Sequence, residues 1–280
     1  MSGFRIPNPI LETRVQSWTA LLEALHSDDV IPKRDSEGGH YRSSFVFRGM
    51  SDSGWPLETS LERLKSPAPV VEPALLRAFR KYAPRGTFAR HSDWEALAVA
   101  QHNGLPTRLL DWSVSPLIAV HFATVERKHF DKDGVVWCVN VILLRDYVLH
   151  PDFGEPLRRA PAAVFDVALL EQAYRGLTEL DDTASTLGEA CLFFEPPSLD
   201  ARIANQQGIL SMMNGSELSH QAYFQKGGAA RPGISRRIII DKAAKSQIRD
   251  MLDQNNIHER LLFPGLPGLC DWLKRYYGPA

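Results

Sequence analysis

The sequence predicts one α+β domain over residues 1–280, in which helices flank a mixed and mainly antiparallel sheet. Three observations support this fold class. Helical and strand patterns are intermixed along the chain, there is no internal repeat, and no linker divides the sequence. A hydrophobic content of 44% is enough for one large core, which we expect to extend from about residue 15 to 275.

Composition and charge narrow the functional classes. The formal net charge of −1 gives no general attraction to nucleic acid, so such a contact would need a local basic patch. The three cysteines are far apart without metal-ligand spacing, so we expect reduced core thiols, no bound metal and a cytoplasmic protein. No apolar run approaches the roughly 18 residues of a membrane span, and the first residues do not resemble a signal peptide.

The first half of the chain is predicted to contain three helices and one strand. Apolar residues at helical spacing place the helices at 13–26, 73–82 and 93–102. Residues 43–50 form a predicted strand, because Phe45, Val46 and Phe47 are too apolar for a surface. Between these elements we expect an exposed loop at 32–42, an extended segment leading into a short helix at 57–64, and a proline-broken connector at 66–73.

The second half is predicted to supply most of the sheet. Apolar and β-branched runs predict strands at 135–144, 191–196, 209–213 and 236–241. Helical patterns follow at 165–174, at 243–255 and at the C-terminus. Residues 151–161 hold three prolines and are interpreted as a loop, and the small, acidic residues of 178–190 are interpreted as an exposed loop.

The most informative stretch is 101–123, which reads QHNGLPTRLLDWSVSPLIAVHFA. Its polar side chains lie between two helical patterns; they are Gln101, His102, Thr107, Arg108, Asp111 and Ser113. Gly104 and Pro106 end the first helix, and Ser115 precedes the proline that begins the second. The stretch predicts either an anion or nucleotide pocket at a helix N-terminus, or a buried Arg108–Asp111 pair that holds two helices together.

Familiar catalytic signatures do not occur in the sequence. It contains no P-loop, no GxGxxG after a strand, and no HExxH, CxxC or GxSxG motif. Gln206 and Gln207 precede a predicted strand, where they either bridge strands or face a ligand. The residues alone therefore predict a soluble α+β domain with one polar-lined pocket.

Four segments of the sequence share one family pattern. They are FRG at 47–49, the stretch 101–123, RIANQQGIL at 202–210 and LFPGLPGL at 262–269. Together they resemble the FRG domain family, which is named for the tripeptide of the first segment. The resemblance extends from about residue 18 to 272. The chain departs from the family pattern at Ser113, Leu210 and Gly265, which replace a threonine, an aromatic residue and an aspartate.

The order of elements in this family resembles the ADP-ribosyltransferase fold, whose members cleave NAD and transfer ADP-ribose. The resemblance implies a catalytic set of Arg48, His102, Asp111, Glu195 and Gln207. It implies that NAD is held by Arg48, Gly49, Gln101, Thr107, Arg108, Trp112, Ser113 and Ser115. Arg48 and Arg108 would bind the pyrophosphate, and a carboxylate would stabilise the oxocarbenium ion formed as the glycosidic bond breaks.

The preferred hypothesis is an NAD-dependent ADP-ribosyltransferase that modifies a DNA or RNA base, as a bacterial toxin or phage-defence effector. Its expected contacts with a nucleic-acid backbone are Arg77, Arg80, Lys81, Arg85, Lys226, Arg236 and Arg237. An antitoxin is a candidate partner, and a membrane is not expected. Two hypotheses from other classes stay open: an NAD glycohydrolase or nucleotide hydrolase, and a non-catalytic module that senses nucleotides or binds a partner.

Overall fold

The computed structural model describes residues 10–27, 43–89, 92–148, 155–160, 163–197, 201–225 and 229–278. These ranges contain seven strands: β1 (Leu11–Val15), β2 (Phe45–Met50), β3 (Leu110–Ser113), β4 (Gly134–Asn140), β5 (Cys191–Phe194), β6 (Gly208–Met213) and β7 (Ser235–Ile240). They form one sheet in the order β1-β7-β4-β2-β3-β6-β5. Only β1 and β7 pair in parallel, and every other neighbouring pair is antiparallel.

Thirteen helices accompany this sheet in the described part of the chain. They are α1 (Trp18–Leu25), α2 (Ala68–Tyr82), α3 (Asp93–His102), α4 (Pro116–Thr124), α5 (Val141–Val148), α6 (Glu155–Arg159), α7 (Val167–Ala173), α8 (Leu177–Thr186), α9 (Ala201–Gln206), α10 (His220–Gln225), α11 (Lys245–Gln254), α12 (Glu259–Leu262) and α13 (Leu266–Tyr277). The prediction of a single mixed α+β fold with a mainly antiparallel sheet is confirmed.

The sheet separates three apolar clusters, because side chains alternate between its two faces. On one face, Phe47 packs with Val120 of α4 in a cluster that also includes α1 and α11. On the same face, Leu192 packs with Leu97 of α3 in a second cluster that includes α7 and α8. The third cluster covers the opposite face and includes Tyr223 of α10. Two helical layers therefore share one face, and α3 and α4 face each other across the strands between them.

Several predicted elements are confirmed by the structure. The strand at 43–50 is β2, the helix at 93–102 is α3, and the short helix before residue 65 is a 3-10 turn at Glu62–Leu64. The strands at 191–196, 209–213 and 236–241 correspond to β5, β6 and β7. The proline-initiated helix after Ser115 is α4.

Two predicted elements change type along their length. The predicted helix 13–26 starts as β1, because residues 11–15 pair with β7 at the sheet edge, and it becomes helical only at Trp18. The predicted strand 135–144 ends at Asn140, whose side chain accepts a hydrogen bond from Leu143 N. Capping of this kind starts a helix, so the apolar run continues as α5.

Three predicted connectors contain helices. Residues 68–73 of the predicted connector 66–73 belong to α2. Pro69 lies in its first turn, where a proline is tolerated, and Pro73 lies inside the helix. The prediction of an exposed loop at 178–190 was wrong in its loop assignment for residues 178–186, because Leu177, Leu180 and Thr183 are buried at helical spacing in α8. Seven of the thirteen residues are exposed as predicted. The predicted loop 151–161 contains α6. The loop predicted at 32–42 lies outside the described residues.

No helix in the described ranges has both the length and the apolar character that crossing a membrane requires. The three cysteines are unpaired; Cys138 and Cys191 are buried, as predicted. Cys270 instead lies exposed on α13, so the prediction that all three thiols are core residues was wrong for this one.

Candidate functional site

A cleft opens where α3 and α4 face each other across β2, β3 and β6. It encloses a cavity of about 290 Å³, here called the first cavity. Its walls come from α3, α4 and α9, and its floor comes from the three strands. Its lining includes Phe47, Arg48, Gly49, Ala98, Gln101, His102, Asp111, Trp112, Ser113, Ala119, Phe122, Pro196, Arg202, Ile203, Gln206, Gly208, Ile209 and Leu210.

The cleft exists because β2 and β3 separate. These two strands are joined only at the Phe47–Ser113 pair, whereas β2 and β4 are paired along six residues. Beyond this point Arg48 donates from Nη1 to the main-chain oxygen of Asp111 over 2.7 Å. A charge-assisted bond thus satisfies a carbonyl that would otherwise lack a strand partner.

Gly49 sets how closely α4 approaches the floor of the cleft. A β-carbon at this position would lie 1.7 Å from Ala119 O and 2.8 Å from Ala123 N. Both are main-chain atoms of a buried helix, which cannot move aside like a flexible side chain. The sequence predicted Gly49 as a residue where the backbone approaches a ligand; the structure gives this glycine a packing role at the cavity edge.

The carboxylate of Asp111 is held in the cleft by a chain of side chains. Gln101 Nε2 donates to Asp111 Oδ2 over 2.8 Å, and Gln101 Oε1 accepts from the Thr107 hydroxyl. Thr107 Oγ1 in turn accepts from Leu109 N. Asp111 is exposed although β3 is an interior strand, because the first cavity lies directly above it. The polar residues of the 101–111 stretch therefore orient one carboxylate.

The third wall of the first cavity is α9, which the C-terminal segment holds in place. Gln206 Nε2 donates to Leu262 O, and Asn205 Nδ2 donates to Leu261 O. The Arg202 guanidinium lies 5.1 Å from the centroid of the Phe263 ring. These contacts join the segments 202–210 and 262–269, which the family resemblance had singled out separately.

Ser113 connects the same wall to the floor. Its hydroxyl donates to Gln206 O over 2.8 Å and accepts from Ser115 N. Ser115 is at the predicted N-cap position of α4, but its own side chain makes no capping hydrogen bond. The prediction that the Ser115 side chain caps this helix was therefore wrong.

A second cavity, of about 490 Å³, adjoins the first at the end of β2. The two share Arg48, Gly49 and Phe122. Its other lining residues are Met50, Ser51, Trp55, Pro56, Glu58, Arg63, Val125 and Glu126. Arg48 therefore lies at the junction of a two-part cleft.

Arg108 does not take part in this cleft. It is buried between Glu72 of α2 and Asp181 of α8, with Nε 2.7 Å from Glu72 Oε2 and Nη2 3.0 Å from Asp181 Oδ2. Burial alone would lower the pKa of Arg108, but these two partners raise it above its ordinary value. Both sequence interpretations were wrong for this residue, since it neither lines the cavity nor pairs with Asp111.

The structure brings together seven of the predicted site residues along the first cavity: Arg48, Gly49, Gln101, His102, Asp111, Trp112 and Ser113. Thr107 is buried behind them and supports Gln101. Glu195 and Gln207 are exposed, and neither lines the first cavity, although their neighbours Pro196 and Gln206 do. Glu195 and Gln207 therefore do not share the first cavity with the other predicted catalytic residues, Arg48, His102 and Asp111.

The lining residues missed as site residues include Arg63 and Arg202, whereas Gln206, predicted either to bridge strands or to face a ligand, lines the first cavity. Arg202 and Gln206 belong to the RIANQQGIL segment, so the position of that segment beside the cavity was the available signal. Gln207 adopts a positive φ of 48° directly after α9, which turns the chain into β6 and leaves Gln206 on the cleft side. Arg63 carries no comparable sequence signal.

The predicted nucleic-acid contacts do not form one patch. Arg77, Arg80, Lys81 and Arg85 are exposed on or just after α2. Arg80 pairs with Asp93 at the start of α3, whereas the residues of α3 that line the cavity are Ala98, Gln101 and His102, in the second half of that helix. Arg236 is buried and bonds Ser27 and Ala24, and Arg237 bonds Glu12 and Ser53. Lys226 lies outside the described residues.

Beneath the floor lies a buried polar chain. Trp112 Nε1 donates to Ser211 Oγ over 2.8 Å, and Ser211 Oγ lies 3.0 Å from His220 Nε2. Since the hydroxyl accepts from the indole, it donates its own proton to His220, which places the histidine proton on Nδ1. Burial, aided by the charge of Arg48, lowers the pKa of His220 to about 3. The histidine is therefore neutral and structural.

Among the described residues, no group of three or more His, Cys, Asp or Glu side chains is arranged to hold a metal ion. Comparison with protein families matches residues 43–132 to the FRG domain. The matched region contains β2, α3, β3 and α4, and thus most of the first cavity. Searches of curated proteins and of solved structures gave no match.

Proposed function

Starting from the FRG domain carried by residues 43–132, we propose that this chain is an NAD-dependent ADP-ribosyltransferase. The observation that carries the proposal is the placement of Asp111. It is the single acidic side chain among the described residues that line the first cavity. Gln101 donates to one carboxylate oxygen of Asp111, and the Arg48 guanidinium donates to the main-chain oxygen of Asp111.

The chemistry assigned to Asp111 follows from charge. Cleavage of NAD breaks the bond between the ribose C1′ and the nicotinamide nitrogen, and nicotinamide leaves with the electron pair. Positive charge develops on the ribose ring, and a preorganised carboxylate stabilises that charge. The acceptor then forms the new bond to C1′ and releases its proton to water. Among the described residues, no side chain bonds the second Asp111 oxygen, so this oxygen is available to the sugar.

The acceptor proposed here is a nucleic-acid base, in the cytoplasm, with the chain acting as a toxin or defence effector. Exposed Arg77 and Lys81 of α2, with Arg85 just after it, support a contact with a nucleic-acid backbone. Arg80, Arg236 and Arg237 are not part of this proposal, because their guanidinium groups bond the protein itself.

The test is release of labelled nicotinamide from NAD by the wild type, by Asp111→Asn and by Glu195→Gln. Both substitutions convert a carboxylate to its amide, and an asparagine still accepts from Gln101. Asp111→Asn should reduce release by about 10²- to 10³-fold, whereas Glu195→Gln should leave it nearly unchanged, because Glu195 lies outside the cavity. Circular dichroism checks that each variant is folded.

DNA, RNA and cell lysate are added in parallel, with label on the ADP-ribose part of NAD. Label on a polymer supports the transferase and identifies its acceptor class. Release without transfer replaces the proposal with a glycohydrolase. No release from folded wild type under any of these conditions overturns the NAD chemistry and leaves a binding module.

A further inference from the structure

The second cavity brings together two guanidinium groups without carboxylate partners. Within the described residues, Arg48 donates only to Asp111 O, and its buried Nε has no acceptor. Arg63 donates only to the main-chain oxygen of Glu58. Neither forms an ion pair with an acidic side chain in this part of the chain. Two cations that line one cavity and lack counter-ions are suited to binding an oxyanion.

Two acidic residues, Glu58 and Glu126, also line this cavity. In the described part of the chain, neither carboxylate forms an ion pair with Arg48 or Arg63. The Glu126 carboxylate instead lies 3.1 Å from Lys128 Nζ. Burial and the charge of Arg63 lower the pKa of Arg48, while Asp111 acts in the opposite direction.

Trp55 adds a flat aromatic surface to the same cavity. Its side chain is 41% exposed, although tryptophan is usually more buried than this. The indole packs edge-to-face against His129, with ring centroids 4.8 Å apart and an interplanar angle of 84°. This contact holds the ring in one orientation and leaves an exposed surface on which a nucleotide base can stack.

We propose that the second cavity binds the phosphate and base of a nucleotide, with the phosphate between Arg48 and Arg63 and the base on Trp55. This inference rests on the proposed function and deepens it. The adenosine-phosphate half of NAD occupies the second cavity, the nicotinamide-ribose half lies above Asp111, and Arg48 contacts the pyrophosphate where the cavities meet. Arg63 thus takes the role that the sequence had given to Arg108.

The experiment is calorimetric titration of ADP into the wild type, Arg63→Gln and Trp55→Leu. The matched control is Arg175→Gln, which removes an exposed arginine that lines neither cavity. Arg63→Gln should weaken ADP binding about 10- to 100-fold through loss of a charge-assisted bond. Trp55→Leu should weaken it about 5- to 100-fold through loss of stacking. Arg175→Gln should stay within about twofold of the wild type, as expected for a distant surface charge.

Two outcomes overturn the subsite: wild-type protein that does not bind ADP at millimolar concentration, and variants that bind ADP as the wild type does. NAD turnover measured on the same samples separates this proposal from the proposed function. Nicotinamide release with an unchanged KM in Arg63→Gln supports NAD cleavage and overturns the subsite. ADP binding that depends on Arg63, without any nicotinamide release, supports the subsite and overturns NAD cleavage.

Discussion

Arg48 Nη1 lies 2.7 Å from the main-chain oxygen of Asp111, across the point where β2 and β3 separate. One side chain therefore satisfies the backbone of the open sheet and borders both cavities. The Asp111 carboxylate is oriented independently, by Gln101. Arginine suits the first task because its guanidinium offers several donors in fixed directions, so one can serve the carbonyl while others face a ligand.

Gly49→Ala should destabilise the fold strongly. The new β-carbon would lie 1.7 Å from Ala119 O, so α4 would have to move away from β2. Overpacking of a core typically costs about 1–3 kcal/mol, and a main-chain clash of this size should reach or exceed the upper value. The free energy of unfolding in urea measures the effect.

Gly208→Ala is the control for this substitution. Gly208 also lines the first cavity, but a β-carbon there would approach no closer than 3.9 Å to Ile203 O. The free energy of unfolding of Gly208→Ala should stay within about 0.5 kcal/mol of the wild-type value. Equal losses in the two variants would contradict the packing role of Gly49.

Arg108→Met should lower the free energy of unfolding without a selective effect on NAD binding. Removing the guanidinium leaves the buried Glu72 carboxylate and the partly buried Asp181 carboxylate without their partner. Breaking a buried ion pair costs about 3–5 kcal/mol. Arg80→Met is the matched control, because the Arg80–Asp93 pair is partly exposed and should contribute about 0–1 kcal/mol. A folded Arg108→Met protein with unchanged stability and weaker NAD binding would restore the predicted pyrophosphate role.

Arg108 also illustrates what the sequence could and could not predict. The polar cluster at 101–111 indicated buried charges and a pocket, and both are present. The identity of the partners was not predictable, because Glu72 and Asp181 lie 36 and 73 positions away and were assigned to a connector and a loop. Such long-range pairs depend on how α2 and α8 pack, and neither helix was recognised there from local periodicity.

β1 also depends on a long-range contact that the sequence did not reveal. Residues 11–15 have no strong strand pattern, and they become a strand because the edge of β7 accepts them in parallel pairing. By contrast, β2, α3 and α4 were predictable because their own residues carry apolar patterns and proline or serine boundary signals. These elements supply eight of the eighteen lining residues of the first cavity, which is why the cavity was predictable when Arg63 was not.

Acidification should destabilise the protein through two buried histidines. Burial lowers the pKa of His220 to about 3 and, together with the charge of Arg249, lowers the pKa of His121 well below 6.5. Below pH 6.5 the unfolded chain therefore binds protons that the folded chain does not, so stability is complete above this pH and falls as the pH decreases. Each histidine contributes a slope of up to about 1.4 kcal/mol per pH unit.

Urea unfolding between pH 7.5 and 4.5 measures this slope. His220→Gln should remove close to half of it, because glutamine can still accept from Ser211 but does not titrate in this range. The comparison is confined to pH values above the ordinary pKa of carboxylates, since the lowered pKa of Glu259 adds a further loss below about 4.5. The same slope in the wild type and His220→Gln would show that His220 is not the titrating group.

Removing the tether of α9 should loosen one wall of the first cavity. A helix of six residues is too short to be stable alone, so α9 depends on its bonds to Leu261 and Leu262 and on the Phe263 ring. Phe263→Ala removes the ring that packs against both Arg202 and Phe122. We expect faster amide hydrogen exchange in residues 201–206 and a higher KM for NAD. The control is Tyr277→Ala, at an exposed position of α13. It should change neither the hydrogen exchange of α9 nor the KM for NAD. Unchanged exchange in α9 of Phe263→Ala would show that the C-terminal segment does not position this wall.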